Sequence, residues 1–158
     1  RKLDYKNCSF DVVLLGGAIY HLSRKEDKII AITEAKRVLK PNGILIIDYL
    51  SKMHGFIQRM LKFEGFIENV SISEIDNLDC KDDLFSYNTL KEMKDMISES
   101  GLIFENAFGT DGITRFVKDK INNMNSNDLD KWIQLIYNQS NNENIIDLSE
   151  HCLIVCKK

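Results

Sequence analysis

Apolar and polar positions alternate between two periods along this chain, and the switches between them outline its elements. Phe10-Asp11-Val12-Val13-Leu14-Leu15 is a short, nearly continuous apolar run that stops at Gly16-Gly17. Such runs predict strands covered on both faces, as in a parallel α/β sheet. Ser23 with Glu26 three residues later has the spacing of a helix capping box. Ile29, Ile32, Ala35 and Leu39 then fall on one helical stripe, with Lys28, Glu34 and Arg37 on positions left to solvent. Pro41 ends that helix, and Lys40-Pro41-Asn42-Gly43 is turn chemistry feeding a second strand, Ile44 to Tyr49. Strand, helix, turn and strand make one βαβ unit.

The second half is less regular. Met53, Phe56, Ile57, Met60 and Leu61 predict a short amphipathic helix that runs to Gly65, and Ile67 to Phe85 reads as an irregular excursion with an acidic stretch from Asp76 to Asp83. Thr89 and Glu92 form another capping box, ahead of a stripe of Leu90, Met93, Met96 and Ile97 that closes at Gly101. Leu102 to Phe108 reads as a strand. Gly109-Thr110-Asp111-Gly112 turns the chain into a helix carrying Ile113, Phe116, Val117 and Ile121, with Asp111 as its cap and Arg115 on its solvated face. A further helix places Leu129, Trp132, Ile133 and Ile136 on a buried stripe, and a final strand runs from Cys152 to Cys156.

Composition narrows the functional classes. The 158 residues are 44% hydrophobic and 28% charged, with a net charge of −3, ordinary values for one globular domain with a real core. Nucleic-acid and anionic-membrane binders normally carry a basic excess, and no apolar run approaches the roughly 20 residues of a spanning helix. The expectation is a cytoplasmic protein with neither nucleic acid nor membrane as partner. Cys8, Cys80, Cys152 and Cys156 show no C-x-x-C spacing, and Cys152 and Cys156 share a strand. Four residues of strand span about 13 Å, too far for two thiolates on one zinc, and the three histidines are scattered. No metal site is expected.

Two stretches carry a family resemblance. Phe10-Asp-Val-Val-Leu-Leu-Gly-Gly-Ala-Ile-Tyr-His-Leu22 and Ala35-Lys-Arg-Val-Leu-Lys-Pro-Asn-Gly-Ile-Leu-Ile-Ile47 resemble the class I S-adenosylmethionine-dependent methyltransferases. The stretch from Phe10 is similar to that family's fourth strand and following loop. The stretch from Ala35 is similar to the next helix, its R-V-L-K-P-G-G turn and the fifth strand, with Asn42 at a usual glycine, where asparagine also tolerates positive φ. Leu90 to Phe108 resembles the helix and sixth strand, and Ser149-Glu-His-Cys-Leu-Ile-Val-Cys156 the terminal seventh strand. Tyr20-His21-Leu22 and Ser149-Glu150-His151 point to the branch that acts on small molecules.

The resemblance implies the C-terminal half of a Rossmann-like, doubly wound α/β sheet. Strands 4 and 5 would be parallel, strands 6 and 7 would follow with strand 7 antiparallel, and helices would lie on both faces. The family's first strand, its Gly-x-Gly-x-Gly loop and the acidic residue that holds the ribose have no counterpart among these residues. Residues 1–158 are therefore expected to form a single partial domain from the back of a longer protein, a view that agrees with Arg1 standing where a Met would start a chain.

From the resemblance follow the expected site residues. Leu15, Gly16, Gly17 and His21 would line the cofactor S-adenosylmethionine, although Gly16 and Gly17 also suit a tight turn. Tyr20, Tyr49 and His54 would meet the methyl acceptor, although Tyr49 and His54 equally suit packing under the following helix. His21 is the candidate general base, since imidazole titrates near neutral pH. The expected activity is methyl transfer to a small-molecule acceptor by in-line displacement, with this stretch inactive alone. The rivals are a non-catalytic half-domain that self-associates through an exposed sheet edge, and a nicotinamide-dependent enzyme on a related fold.

Overall fold

In the computed structural model, residues 2–79 and 84–158 are described. Cys80 and the end of the acidic stretch lie outside them. In chain order the elements are β1 (Phe10–Leu15), α1 (Lys25–Val38), β2 (Leu39–Ser51), α2 (Lys52–Lys62), α3 (Phe66–Asn69) and α4 (Ile72–Asn77). After these come β3 (Tyr87–Asn88), α5 (Leu90–Glu99), β4 (Ile103–Gly109), α6 (Lys118–Asn122), α7 (Ser126–Gln139) and β5 (His151–Lys157).

The strands form one sheet in the order β1-β2-β5-β4, with β3 pairing β2. β1 and β2 are parallel, as the βαβ reading requires. β5 runs antiparallel to both β2 and β4. β3 adds two parallel pairs, Leu50 with Tyr87 and Ser51 with Asn88, beyond the end of β1. The α/β Rossmann-like class read from the sequence holds.

Alternation along the strands sends Leu45, Ile47 and Tyr49 of β2 and Cys152, Ile154 and Cys156 of β5 to one face, where all are fully buried. Ile32 and Ala35 of α1 and Met93, Met96 and Ile97 of α5 close over them as a single core. The opposite face differs from the expectation of helices on both sides. There Val12 is 52% exposed, Leu14 71% and Ile103 61%, and the described residues lay no helix over them.

Local chemistry explains most boundaries. Thr89 caps α5 in a full capping box with Glu92, as its spacing predicts. A second box, Ser71 with Glu74, starts α4 inside the stretch read as irregular. Ser23 does not cap α1: Arg24 holds that position without a side-chain hydrogen bond. The reason is upstream, where Ser86 holds the carbonyls of Tyr20 and Leu22 and prolongs the loop.

The proline turn exists, but as a bulge inside β2, since pairing jumps from Phe10–Leu39 to Val12–Ile44. Asn42 takes φ 63° there. At Gly43 a Cβ would lie 2.9 Å from the Lys40 carbonyl and 3.0 Å from that of Asp11, so the bulge admits no side chain. After β4 the helix expected from Ile113 is a 3₁₀ turn, Thr114–Val117, followed by the short α6. The stripe of α7 is not core: no residue of that helix is buried, and half-buried Trp132 donates its indole N–H to Thr114 Oγ1 at 3.1 Å. Asp111 ties the turn to the last loop, accepting from the Glu150 N–H at 3.0 Å. Arg115 is exposed, as read from the sequence, and from that solvated face it pairs with Glu150 at 2.6 Å.

Candidate functional site at the carboxyl ends of the parallel strands

β1 ends at Leu15, opposite Ile47, while its parallel neighbour β2 runs on to Ser51, and open α/β sheets place ligands outside the carboxyl ends of such strands. The chain leaves β1 through Gly16-Gly17 and a 3₁₀ turn, Ile19–His21. Ile19 is fully buried and anchors this loop to the core. Gly17 adopts φ +77°, a left-handed conformation that side chains resist, with the Tyr20 hydroxyl 3.4 Å from where a Cβ would stand.

From the anchored turn, Tyr20 and His21 project into a group of rings. Tyr20 lies 4.9 Å from His21, 5.9 Å from Phe85 and 5.7 Å from His151, centroid to centroid. His21 is 5.2 Å from Phe85, and its Nδ1 faces the Leu84 carbonyl at 3.3 Å. The Ser86 N–H donates to the Tyr20 carbonyl at 2.7 Å, which stitches this loop to the segment leading into β3.

One pairing here was invisible in the sequence pattern. His151 Nδ1 lies 3.0 and 3.2 Å from the two carboxylate oxygens of Asp48. His151 stands opposite Leu50, so Asp48 is its diagonal neighbour across the β2–β5 ladder. The two residues are 103 positions apart. Strand parity together with the antiparallel register of β5 on β2 is the signal that could have joined them.

The other expected site residues divide. Leu15, Gly16, Gly17, Tyr20 and His21 gather at this end. Tyr49 corrects the expectation of acceptor contact: it is fully buried on the covered face, and its hydroxyl donates to Asp147 Oδ1 at 3.2 Å. Burial and the neighbouring Asp147 and Cys152 push its pKa far up. His54 is also buried, at 2% exposure. Ser51 caps α2 by accepting from the His54 N–H, which fixes the ring in the first turn. There it stacks on Phe116 at 4.7 Å, and its Nδ1 donates to the Leu148 carbonyl at 2.9 Å. Its Nε2 is buried without a hydrogen-bond partner.

Cavities lie beside this end. One of about 620 Å³ is bordered by Lys25, Lys28, Lys52, Phe85, Asn88 and Glu92 among others. Lys28 is 3% exposed, its amine donates to Asn88 Oδ1, and burial pushes its pKa down to about 8. Burial works to raise the Glu92 carboxyl, but the Lys52 ammonium at 2.6 Å and the Thr89 N–H outweigh it and hold the group below its usual range. Burial pushes the Cys156 thiol up to about 12, and the Cys152 thiol higher still. Both cysteines are structural in this fold. Among the described residues no cluster of His, Cys, Asp and Glu could hold a metal ion, and no helix is long and apolar enough to cross a membrane.

Comparison with known proteins agrees with this geometry. Residues 1–47 match the family model described as a methyltransferase domain, which takes in β1, the Gly16–His21 loop, α1 and β2 as far as Ile47. No curated protein matches. Among solved structures the chain is similar to an S-adenosylmethionine-dependent methyltransferase from Methanosarcina mazei, at 14% identity and TM-score 0.56, over 99% of this chain and 63% of that one. A methyltransferase from Mesorhizobium loti is similar at 14% identity and TM-score 0.54, over 99% and 65%. The [4+2]-cyclase SpnF is similar at 15% identity and TM-score 0.53, over 99% and 53%. At these identities the likeness is one of fold, and the chain spans less than two thirds of each of these proteins. The resemblance to class I S-adenosylmethionine-dependent methyltransferases read from the sequence stands.

Proposed function

We propose that the protein carrying this chain transfers a methyl group from S-adenosylmethionine to a small-molecule acceptor, by in-line displacement at the methyl carbon. One observation carries the reading. The residues matched by the methyltransferase family, 1–47, contain β1, the Gly16–His21 loop that leaves its end, and β2 up to the residue before Asp48, which pairs with His151 beside that loop.

The residues present fit one end of the cofactor. At Gly16 nothing lies within 4 Å of where a Cβ would stand, so the backbone is open to close approach. The Asp48 carboxylate and the ring of Tyr20 suit a nearby positive charge. Leu15, Gly16, Gly17 and His21 would hold the amino-acid end of the cofactor, and Tyr20 would border the acceptor. When bound, the cofactor supplies a methyl carbon already activated by positively charged sulfur. The protein's part is then mainly positioning, which is worth about 7–11 kcal/mol in well-oriented reactions.

The test is radiolabelled methyl transfer by the full-length protein as encoded, with a phenol, a primary alkylamine and an alkanethiol as acceptors. Incorporation into any of them supports the reading, and none overturns it. In a calorimetric titration of the 158-residue chain with the same cofactor, the expected result is no saturation below about 1 mM, because it contains no Gly-x-Gly-x-Gly loop.

A second reading has one observation in its favour. β1 is an outer strand whose Leu14 is 71% exposed, as a non-catalytic, self-associating module would require. Sedimentation equilibrium that shows a concentration-dependent dimer, together with absent methyl transfer, would select it.

A further inference from the structure

The Asp48–His151 pair is built as a proton acceptor. A carboxylate can only accept, so with Asp48 at 3.0 and 3.2 Å the hydrogen resides on Nδ1 of His151. The neutral ring therefore keeps its lone pair on Nε2. Nε2 has no hydrogen-bond partner among the described residues, and the side chain is 37% exposed against 19% for Asp48. The strand end is also fixed through backbone: the His151 carbonyl accepts from both the N–H and the hydroxyl of Thr110.

The other histidines lack part of this arrangement. His54 also presents a bare Nε2, but it is enclosed. His21 is exposed, but its Nδ1 faces a backbone carbonyl, not a carboxylate. Among the described residues His151 alone combines a fixed tautomer, a carboxylate behind it and an opening to solvent at the strand ends where ligands are expected.

We propose that His151 is the base that takes a proton from the methyl acceptor, with Asp48 as its positioning residue. This rests on the methyl-transfer reading and deepens it by naming the acceptor class. The reacting atom carries a hydrogen that must leave, as in a phenol, an alcohol, a thiol or an alkylammonium, and a tertiary amine is outside the class. The X–H bond breaks and its proton passes to His151 Nε2. The electron pair left on X forms the bond to the methyl carbon, and the pair of the broken carbon–sulfur bond stays on sulfur. The imidazolium then returns the proton to water.

The test uses the full-length protein with the three acceptors named above. For an acceptor that is methylated, His151→Gln is expected to lower kcat by about 10²–10⁴-fold, with KM changed by less than about threefold. Asp48→Asn should lower kcat less, and added imidazole should restore part of the activity of His151→Gly. Independently of turnover, ¹⁵N NMR should find the hydrogen on Nδ1 of His151 in the wild type, and a mixed tautomer population in Asp48→Asn. Wild-type transfer that His151→Gln leaves within about threefold overturns the assignment, as does a hydrogen resident on Nε2. Absence of transfer by the wild type instead overturns the methyl-transfer reading, and the assignment falls with it.

Discussion

The two faces of this sheet are built from the same strands and comparable residues, yet they have different fates. On one face Ile47, Tyr49, Cys152 and Ile154 are fully buried beneath α1 and α5. On the other, Val12, Leu14 and Ile44 are 52%, 71% and 40% exposed. Periodicity reports that a side chain is apolar and which way it points. It does not report whether anything will cover it. The contrast also locates the chemistry, since Asp48 and His151 belong to the open face and Tyr49 to the closed one.

The largest effect that would test this contrast is truncation on the covered face. Ile154→Ala should cost about 2–5 kcal/mol in urea unfolding, because a fully enclosed site cannot collapse around the lost atoms. A cost below that range would mean that the core is looser than its burial indicates.

Next is Lys28, the charge that the covered side must tolerate. Its folded pKa, lowered to about 8 from 10.5, means that the unfolded chain binds more protons between those values, so stability rises with pH across that window and is flat below it. The gain should be about 3 kcal/mol. Lys28→Met should abolish the slope and leave stability near pH 7 unchanged or higher, as a chemical denaturation series at several pH values would show.

Tyr49→Phe removes one hydroxyl that donates to Asp147 and should cost about 1 kcal/mol. It should leave the KM for any methylated acceptor unchanged, whereas a raised KM would restore acceptor contact to Tyr49. The smallest effect belongs to the open face: Leu14→Ala should shift stability by no more than about 0.5 kcal/mol. A loss comparable to that of Ile154→Ala would show that Leu14 is covered in solution.

The βαβ unit was legible because each of its signals is local: an apolar run, a helical stripe, and a turn whose asparagine takes positive φ. The Thr89–Glu92 box was legible for the same reason. The start of α1 was not, because Ser86, more than sixty residues away, holds the carbonyls just before it. Half of the candidate site followed from position alone, since Gly16 to His21 must lie where β1 ends. Tyr49 was misplaced by weighing its position along the strand and neglecting parity, which puts it on the face of Ile47. Asp48 and His151 became partners only through the β2–β5 register, a long-range property that neither residue carries by itself. The stripe of α7 is amphipathic, but that pattern could not say that the helix lies off the sheet.

The strand order has a consequence in time. Among the described residues β4 has no strand neighbour except β5, and β5 lies between β2 and β4. During synthesis β1, α1 and β2 can pair early, but β4 must wait for residues 151–157 to emerge before it has anything to pair with. Contacts so distant in sequence form slowly. Until then the buried edge of β2 stands open to other chains, and a cell making this protein has to guard it for as long as the final strand is still being made.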